Sequence, residues 1–92
     1  MSFILAVKQG SLDEVRQQLE QEGADVNQTA QYNTSALHIA ASRGNRDVLA
    51  LLLARGANVN ALNNFQSSPL HEALRCHNMP DRLACIQLLV DH

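Results

Sequence analysis

Residues 35–40 read SALHIA and residues 68–73 read SPLHEA, so that a closely similar hexapeptide returns after 33 positions. The segments GADVN at residues 23–27 and GANVN at residues 56–60 are also 33 positions apart. Several independent matches at one spacing predict a stack of structural repeats, in which each unit packs only on its neighbours. The period therefore decides the architecture before any single helix is assigned.

Within each period, the pattern predicts two short helices and a polar connection. In the middle unit, residues 36–43 form a helix of small and apolar residues that Gly44 interrupts. Residues 47–55 form a second, more apolar helix, which ends before Gly56. Glycine is the usual residue at such helix ends, because it adopts a left-handed backbone without steric cost.

The outer units follow the same plan with changes. In the first unit, Ser11 and Glu14 have the spacing of a capping box. In the third unit, four extra residues separate the helices, and Pro80 is expected to begin the last one. Apolar residues of that last helix stand near the end of the sequence. We expect its outer face to be covered by further repeats, by self-association or by a partner, because repeat stacks need polar ends.

Composition bounds the class of protein. The 92 residues have 46% hydrophobic residues, a net charge of -2 and only two cysteines, which indicates one small domain without a disulfide framework. The seven Lys and Arg residues form no run, which argues against nucleic-acid binding. No apolar stretch approaches the ~18 residues that a membrane span needs, and no secretory signal is present. We expect a cytoplasmic or nuclear protein.

These segments resemble the ankyrin-repeat family, whose 33-residue period and T-P-L-H-x-A signature they match. The resemblance covers nearly the whole chain and implies an all-α solenoid of helix pairs with projecting β-hairpin loops. It implies one domain, 1–92, with about three repeats at about 1–29, 30–62 and 63–92, the last one incomplete. Asn33 and Gln66 stand where the family has a hairpin-tip glycine, and we expect the tip at Gln66 to be distorted or mobile.

The family mostly binds other proteins through its hairpin tips and the concave face of its first helices. The resemblance therefore implies a protein–protein interaction adaptor or scaffold. Residue-by-residue transfer gives these candidate partner-binding residues: Gln31, Tyr32, Thr34, Ser42, Arg43, Asn64, Phe65, Ser67, Glu72 and Arg75. Lys8 and Gln9 are their counterparts in the first unit.

Tyr32 and Phe65 are the most informative of these residues, because they are two of three aromatic residues and lie one period apart. Aromatic side chains on exposed loops are typical of binding hot spots. The alternative is that each ring folds back onto a neighbouring hairpin.

Other chemistry has weaker support. We expect no catalytic residue, no cofactor and no metal site, because Cys76, His77, Cys85 and His92 lack the spacing of zinc ligands. The resemblance implies that His38 and His71 hydrogen-bond the helix start and the neighbouring repeat.

Asn27 is expected to close a turn through its side chain. In the family, this position is a candidate for hydroxylation by an intracellular asparaginyl hydroxylase.

Two alternatives for function remain. The chain could be an N-terminal regulatory or substrate-recruiting segment of a larger protein, such as a ubiquitin-ligase adaptor, an enzyme or a channel. Small-molecule or RNA binding by the concave face would need a basic or aromatic-rich groove, and only Arg43 and Arg75 offer this.

Overall fold

A computed structural model describes residues 2–92. In these residues the chain forms three pairs of helices. The first pair is α1 (Phe3–Gln9) and α2 (Leu12–Glu20), the second is α3 (Ala36–Arg43) and α4 (Arg46–Ala54), and the third is α5 (Pro69–Ala73) and α6 (Met79–Val90). A short 3-10 segment, Gln31–Asn33, lies in the loop between the first two pairs.

The helices stack in two layers. Helix α3 packs between α1 and α5, so the first helices of the three pairs form one layer. Helix α4 packs between α2 and α6, which form the other. The core lies between the layers, where Leu37, Leu49 and Leu52 are fully buried. This arrangement confirms the predicted all-α repeat stack.

Serine hydroxyls cap the amino-terminal ends of α3 and α5. Ser35 Oγ accepts a hydrogen bond from the backbone N–H of His38, and Ser68 Oγ accepts one from His71. In both helices the imidazole Nδ1 accepts a hydrogen bond from the serine's own N–H in return, which completes a capping box. Satisfying the free N–H groups in this way stabilises short helices that would be marginal alone.

Two details differ from the sequence predictions. Ser11 caps α2 as expected, but the Glu14 carboxylate accepts a hydrogen bond from Gln18 one turn later, so the structure shows a cap without the reciprocal bond. In the third unit, α6 begins at Met79, one residue before Pro80, because Asn78 supplies the cap.

The loops between the pairs form the predicted hairpins in a minimal form. In the first hairpin, Thr29 pairs with Ser35 in an isolated antiparallel bridge, and the N–H of Ala30 donates to the carbonyl of Thr34 at 2.7 Å. In the second, the N–H of Asn63 donates to the carbonyl of Ser67 at 3.1 Å. The hairpins are therefore tight turns rather than a sheet.

The second and third units approach each other closely at Gly44. Its φ of +69° is left-handed, and a Cβ there would lie 2.4 Å from Cys76 Sγ and 3.0 Å from Asp81 Cβ. Gly56 has a similar φ of +85° but no atom within 4 Å of such a Cβ. A side chain at either position would strain the backbone, but only a side chain at Gly44 would also clash with neighbouring atoms.

We expect Gly44→Ala to lower the free energy of unfolding by about 3 kcal/mol, because strain and overpacking act together. Gly56→Ala is the matched control and should cost about 1 kcal/mol, from backbone strain alone. Urea unfolding followed by circular dichroism measures both. Equal losses in the two variants would contradict the close approach at Gly44.

Candidate functional site

The two hairpin tips present a pair of aromatic rings. The ring centroids of Tyr32 and Phe65 are 5.3 Å apart, with the planes tilted by 49°. Tyr32 nevertheless remains 60% exposed and Phe65 69% exposed. The expected folding of each ring onto a neighbouring hairpin is met in part, because the rings touch but keep most of their surface in solvent. A binding role for them stays a prediction.

The backbone holds the tips together as well. The N–H of Asn64 donates to the carbonyl of Tyr32 at 2.8 Å, and Asn33 Nδ2 donates to the carbonyl of Leu62 at 3.4 Å. These two hydrogen bonds join consecutive hairpins directly. The aromatic pair therefore stands on a surface that spans two repeats.

Positive φ values mark both tips. Asn33 has φ +60° and Gln66 has φ +61°, where the family has glycine. Tyr32 is also left-handed, with φ +60°, whereas its counterpart Phe65 is not. Gln66 thus adopts the left-handed conformation on which the expected distortion rested, and the first tip has one more left-handed residue than the second. The expected distortion or mobility of the tip at Gln66 stays a prediction.

Asn63 explains the difference and was missed in the sequence. It is 6% exposed, and its Oδ1 accepts hydrogen bonds from the N–H groups of Phe65 at 2.9 Å and Ser67 at 3.0 Å. The equivalent residue one period earlier is Ala30, which has no polar side chain. A side-chain hydrogen-bond acceptor inside the turn stabilises the second tip, as Asn often does. The sequence did contain a signal for this role, because the third unit has an asparagine where the second unit has Ala30.

The remaining candidate binding residues lie at different depths. Gln31, Arg43, Asn64 and Arg75 are exposed, whereas Thr34, Ser42 and Glu72 are half-buried. Ser67 is buried, and its Oγ donates to Glu72 Oε1 at 3.0 Å. Ser67 therefore supports the surface from below and offers little area to a partner.

His38 connects the second and third units. Because its Nδ1 accepts the N–H of Ser35, the proton of the neutral ring lies on Nε2, which donates to the carbonyl of Ser67 at 2.7 Å. The ring is fully buried. This confirms the structural role that the family resemblance implied for His38.

His71 makes only half of the same set of contacts. Its Nδ1 accepts the N–H of Ser68 at 3.1 Å, but no described residue accepts a hydrogen bond from its Nε2. The side chain lines an open groove of about 550 Å³ together with Phe65, Gln66, Ser67, Glu72 and Arg75. In the described chain, His71 thus contributes a hydrogen-bond donor to this surface.

Asn27 acts across repeats rather than within its own turn. The local turn is made by Asp25, whose Oδ1 accepts the N–H of Asn27 at 2.9 Å. The Asn27 Oδ1 accepts the N–H of Asn58 in the next unit at 2.8 Å. The expected local role is therefore wrong, and hydroxylation of Asn27 stays a prediction.

The two cysteines are buried free thiols. Burial raises the pKa of Cys85 to about 11, so its thiol stays protonated at neutral pH. The Cys76 Sγ donates weakly to the carbonyl of Asn78 at 3.7 Å. Both thiols are buried, and Cys85 lacks the thiolate character that a nucleophile needs.

The fold and surface define a class of protein: a short stack of helix pairs in which a buried imidazole couples one repeat to the next and hairpin tips project from one side. A family model of ankyrin repeats in three copies matches residues 3–92. The chain belongs to the ankyrin-repeat family, whose repeats are protein–protein interaction modules.

Several known proteins are similar over most of this chain. The human BCL-6 corepressor-like protein 1 is 37% identical over 87 residues, or 95% of this chain and 5% of its own length. A putative E3 ubiquitin-protein ligase of Arabidopsis thaliana, XBAT31, is 33% identical over 94% of this chain and 18% of its own length. Inversin of Canis lupus familiaris is 44% identical over 70% of this chain and 6% of its own length. The chain thus spans less than a fifth of each of these relatives.

In residues 2–92, no helix is long and apolar enough to cross a membrane.

The different contacts of His38 and His71 give a test of repeat coupling. We expect His38→Ala to lower the free energy of unfolding by about 3 kcal/mol, because it leaves buried polar groups unpaired and a cavity. His71→Ala should cost about 1 kcal/mol, the value of a helix cap. Chemical denaturation with a fluorescence or circular dichroism signal measures both. The coupling role of His38 is refuted if the two variants lose the same stability.

Proposed function

We propose that this chain is an adaptor-type interaction module that binds a partner protein through its hairpin tips and its first-helix face. The observation that carries the proposal is the exposed aromatic pair of Tyr32 and Phe65, which contact each other across consecutive hairpins. Aromatic side chains with a fixed position lose little conformational entropy on binding and supply large contact area.

The surroundings of the pair favour binding over catalysis. The exposed polar residues Gln31 and Asn64 flank the rings, as a polar rim flanks the apolar centre of an interface. A catalytic site would instead need convergent groups with perturbed pKa values in a cleft. Cys85, whose pKa is raised, lies in the buried core and not in a cleft. We therefore propose a non-enzymatic role, and we place it in the cytoplasm or nucleus, where free thiols persist.

Removing both rings should weaken the binding of a partner. We expect Tyr32→Ala/Phe65→Ala to lose at least about tenfold in affinity, as hot-spot truncations do, with unchanged helicity. Affinity capture from lysate with quantitative mass spectrometry compares this variant with the wild type. Gln17→Ala is the control, because Gln17 is also exposed but lies on α2, in the second-helix layer. If the captured proteins are the same in all three samples, the proposed anchor role is wrong.

A second proposal is that the module recruits substrates or regulates activity as one part of a larger protein. The support is that the relatives are far longer than the matched segment, and that one of them is named as a putative ubiquitin ligase. In this role the same surface would select the bound protein, and the chemistry would belong to another part of the molecule.

Self-association is the third part of the proposal. Its support is the exposure of Leu83 at 58% and Val90 at 65% on the outer face of α6. Apolar side chains grouped on one face favour association. We expect sedimentation velocity to show a dimer that grows with concentration.

Leu83→Asp/Val90→Asp should restore the monomer, whereas Leu5→Asp in α1, at the opposite end of the stack, should leave the dimer unchanged. A wild-type chain that stays monomeric up to high concentration would show that this face does not self-associate.

A further inference from the structure

The carboxylates of this protein lie mostly outside the first-helix layer, whereas its seven cations are divided between that layer and the rest of the chain. Although the net charge of the chain is -2, the first-helix layer and the ends of its helices contain three cations, Lys8, Arg43 and Arg75, and one carboxylate, Glu72. The other eight carboxylates lie in the second helices and the loops: Asp13, Glu14, Glu20, Glu22, Asp25, Asp47, Asp81 and Asp91. An overall acidic chain thus has one basic layer.

The cations of this layer occupy equivalent places. Lys8 lies in the last turn of α1, Arg43 is the last residue of α3, and Arg75 follows α5 by two residues. Because the first helices stack side by side, their carboxyl-terminal ends form one edge of the layer. All three side chains are exposed along this basic edge. Each cation interacts favourably with the dipole at the carboxyl-terminal end of its own helix, but its charge still faces solvent.

Little within the protein neutralises the basic edge. Among residues 2–92, neither Lys8 nor Arg43 forms an ion pair, and Arg75 reaches Glu72 only at 4.0 Å with its side chain 75% exposed. In the opposite layer, by contrast, Arg55 pairs with Glu20. The same Glu72 Oε1 also accepts a hydrogen bond from Ser67 Oγ at 3.0 Å.

Next to the basic edge lies the groove that His71 and Arg75 share with the exposed ring of Phe65. The His71 Nε2 is a donor without an acceptor in the described chain, whereas the His38 Nε2 binds a backbone carbonyl at 2.7 Å. A backbone carbonyl is thus the acceptor for the equivalent donor one repeat earlier. An extended polypeptide could supply the same carbonyl to His71.

We infer that the basic edge and the adjoining groove bind an extended acidic segment of a partner protein. Its carboxylates pair with Arg43 and Arg75, and a main-chain carbonyl accepts the His71 Nε2–H. Complementary charge would steer the encounter and set the orientation of the segment. This inference rests on the proposed interaction function and names the partner's chemistry.

A protein segment fits this surface better than a nucleic acid does. Nucleic-acid binding draws on many phosphate contacts and normally on a strongly basic domain, whereas three cations stand here on a chain of pI about 6.0. Phe65 and His71 supply an apolar surface and a single neutral donor, which suit a peptide backbone and an apolar side chain.

The test uses a fluorescein-labelled peptide of alternating Glu and Gly residues with one Phe, titrated with the full chain at low salt and followed by anisotropy. We expect Arg43→Glu/Arg75→Glu to weaken binding about tenfold or more. Arg16→Glu/Arg46→Glu changes the net charge equally but lies in the second-helix layer, and it should change affinity less than about twofold. Added salt should weaken wild-type binding. Thermal melts establish that both variants fold, and Arg43→Gln/Arg75→Gln serves if the reversal unfolds the chain.

Several results would overturn the inference: no peptide binding by the wild type, equal loss in both double variants, or binding of oligouridylate in place of the peptide. The proposed interaction function is tested separately. If lysate capture depends on Tyr32 and Phe65 but survives Arg43→Glu/Arg75→Glu, the module binds a protein that is not acidic at this edge. If the peptide binds as expected and lysate capture is unchanged by the loss of Tyr32 and Phe65, only the anchor role of the two rings is wrong.

Discussion

The hydrogen bond from the buried His38 imidazole to the Ser67 carbonyl is the contact on which the rest of the structure depends. One neutral ring caps its own helix through Nδ1 and fixes the end of the next hairpin through Nε2. Such a ring can serve both partners only in one tautomer, and burial excludes the water that would compete. The position of the second hairpin, and therefore of Phe65, follows from that single orientation.

From there the binding surface is assembled by contacts between repeats rather than within them. The Tyr32 carbonyl and the Asn27 side chain each bond a group in the following unit, and the Asn33 amide bonds the Leu62 carbonyl just before the next hairpin. A partner that contacts the tips therefore meets a surface whose parts are positioned by neighbouring units. Rigid presentation of this kind lowers the entropic cost of association.

The sequence predicted the fold well and the surface only in part. The 33-residue period identified the helix pairs, the serine caps and the places of Gly44 and His38, because equivalent positions in a stack have equivalent backbones. It could not predict Asn63, whose two hydrogen bonds depend on a side chain that its counterpart lacks. The left-handed Tyr32 was also unforeseen, because local preference disfavours that conformation and only the contact with the next hairpin offsets it. Burial of Ser67 likewise required the placement of the neighbouring helix.

The unequal contacts of His38 and His71 have a consequence for how the stack comes apart. The middle unit has a neighbouring unit on each side. The third unit is joined to the stack by the buried His38 imidazole and by helix packing, and its first helix, α5, has only five residues. In a structure whose units contact only their neighbours, local opening begins where the fewest such contacts must break. Backbone amides of α5 should therefore exchange with solvent deuterium sooner than those of α3, and unfolding should travel along the stack as fraying from one end.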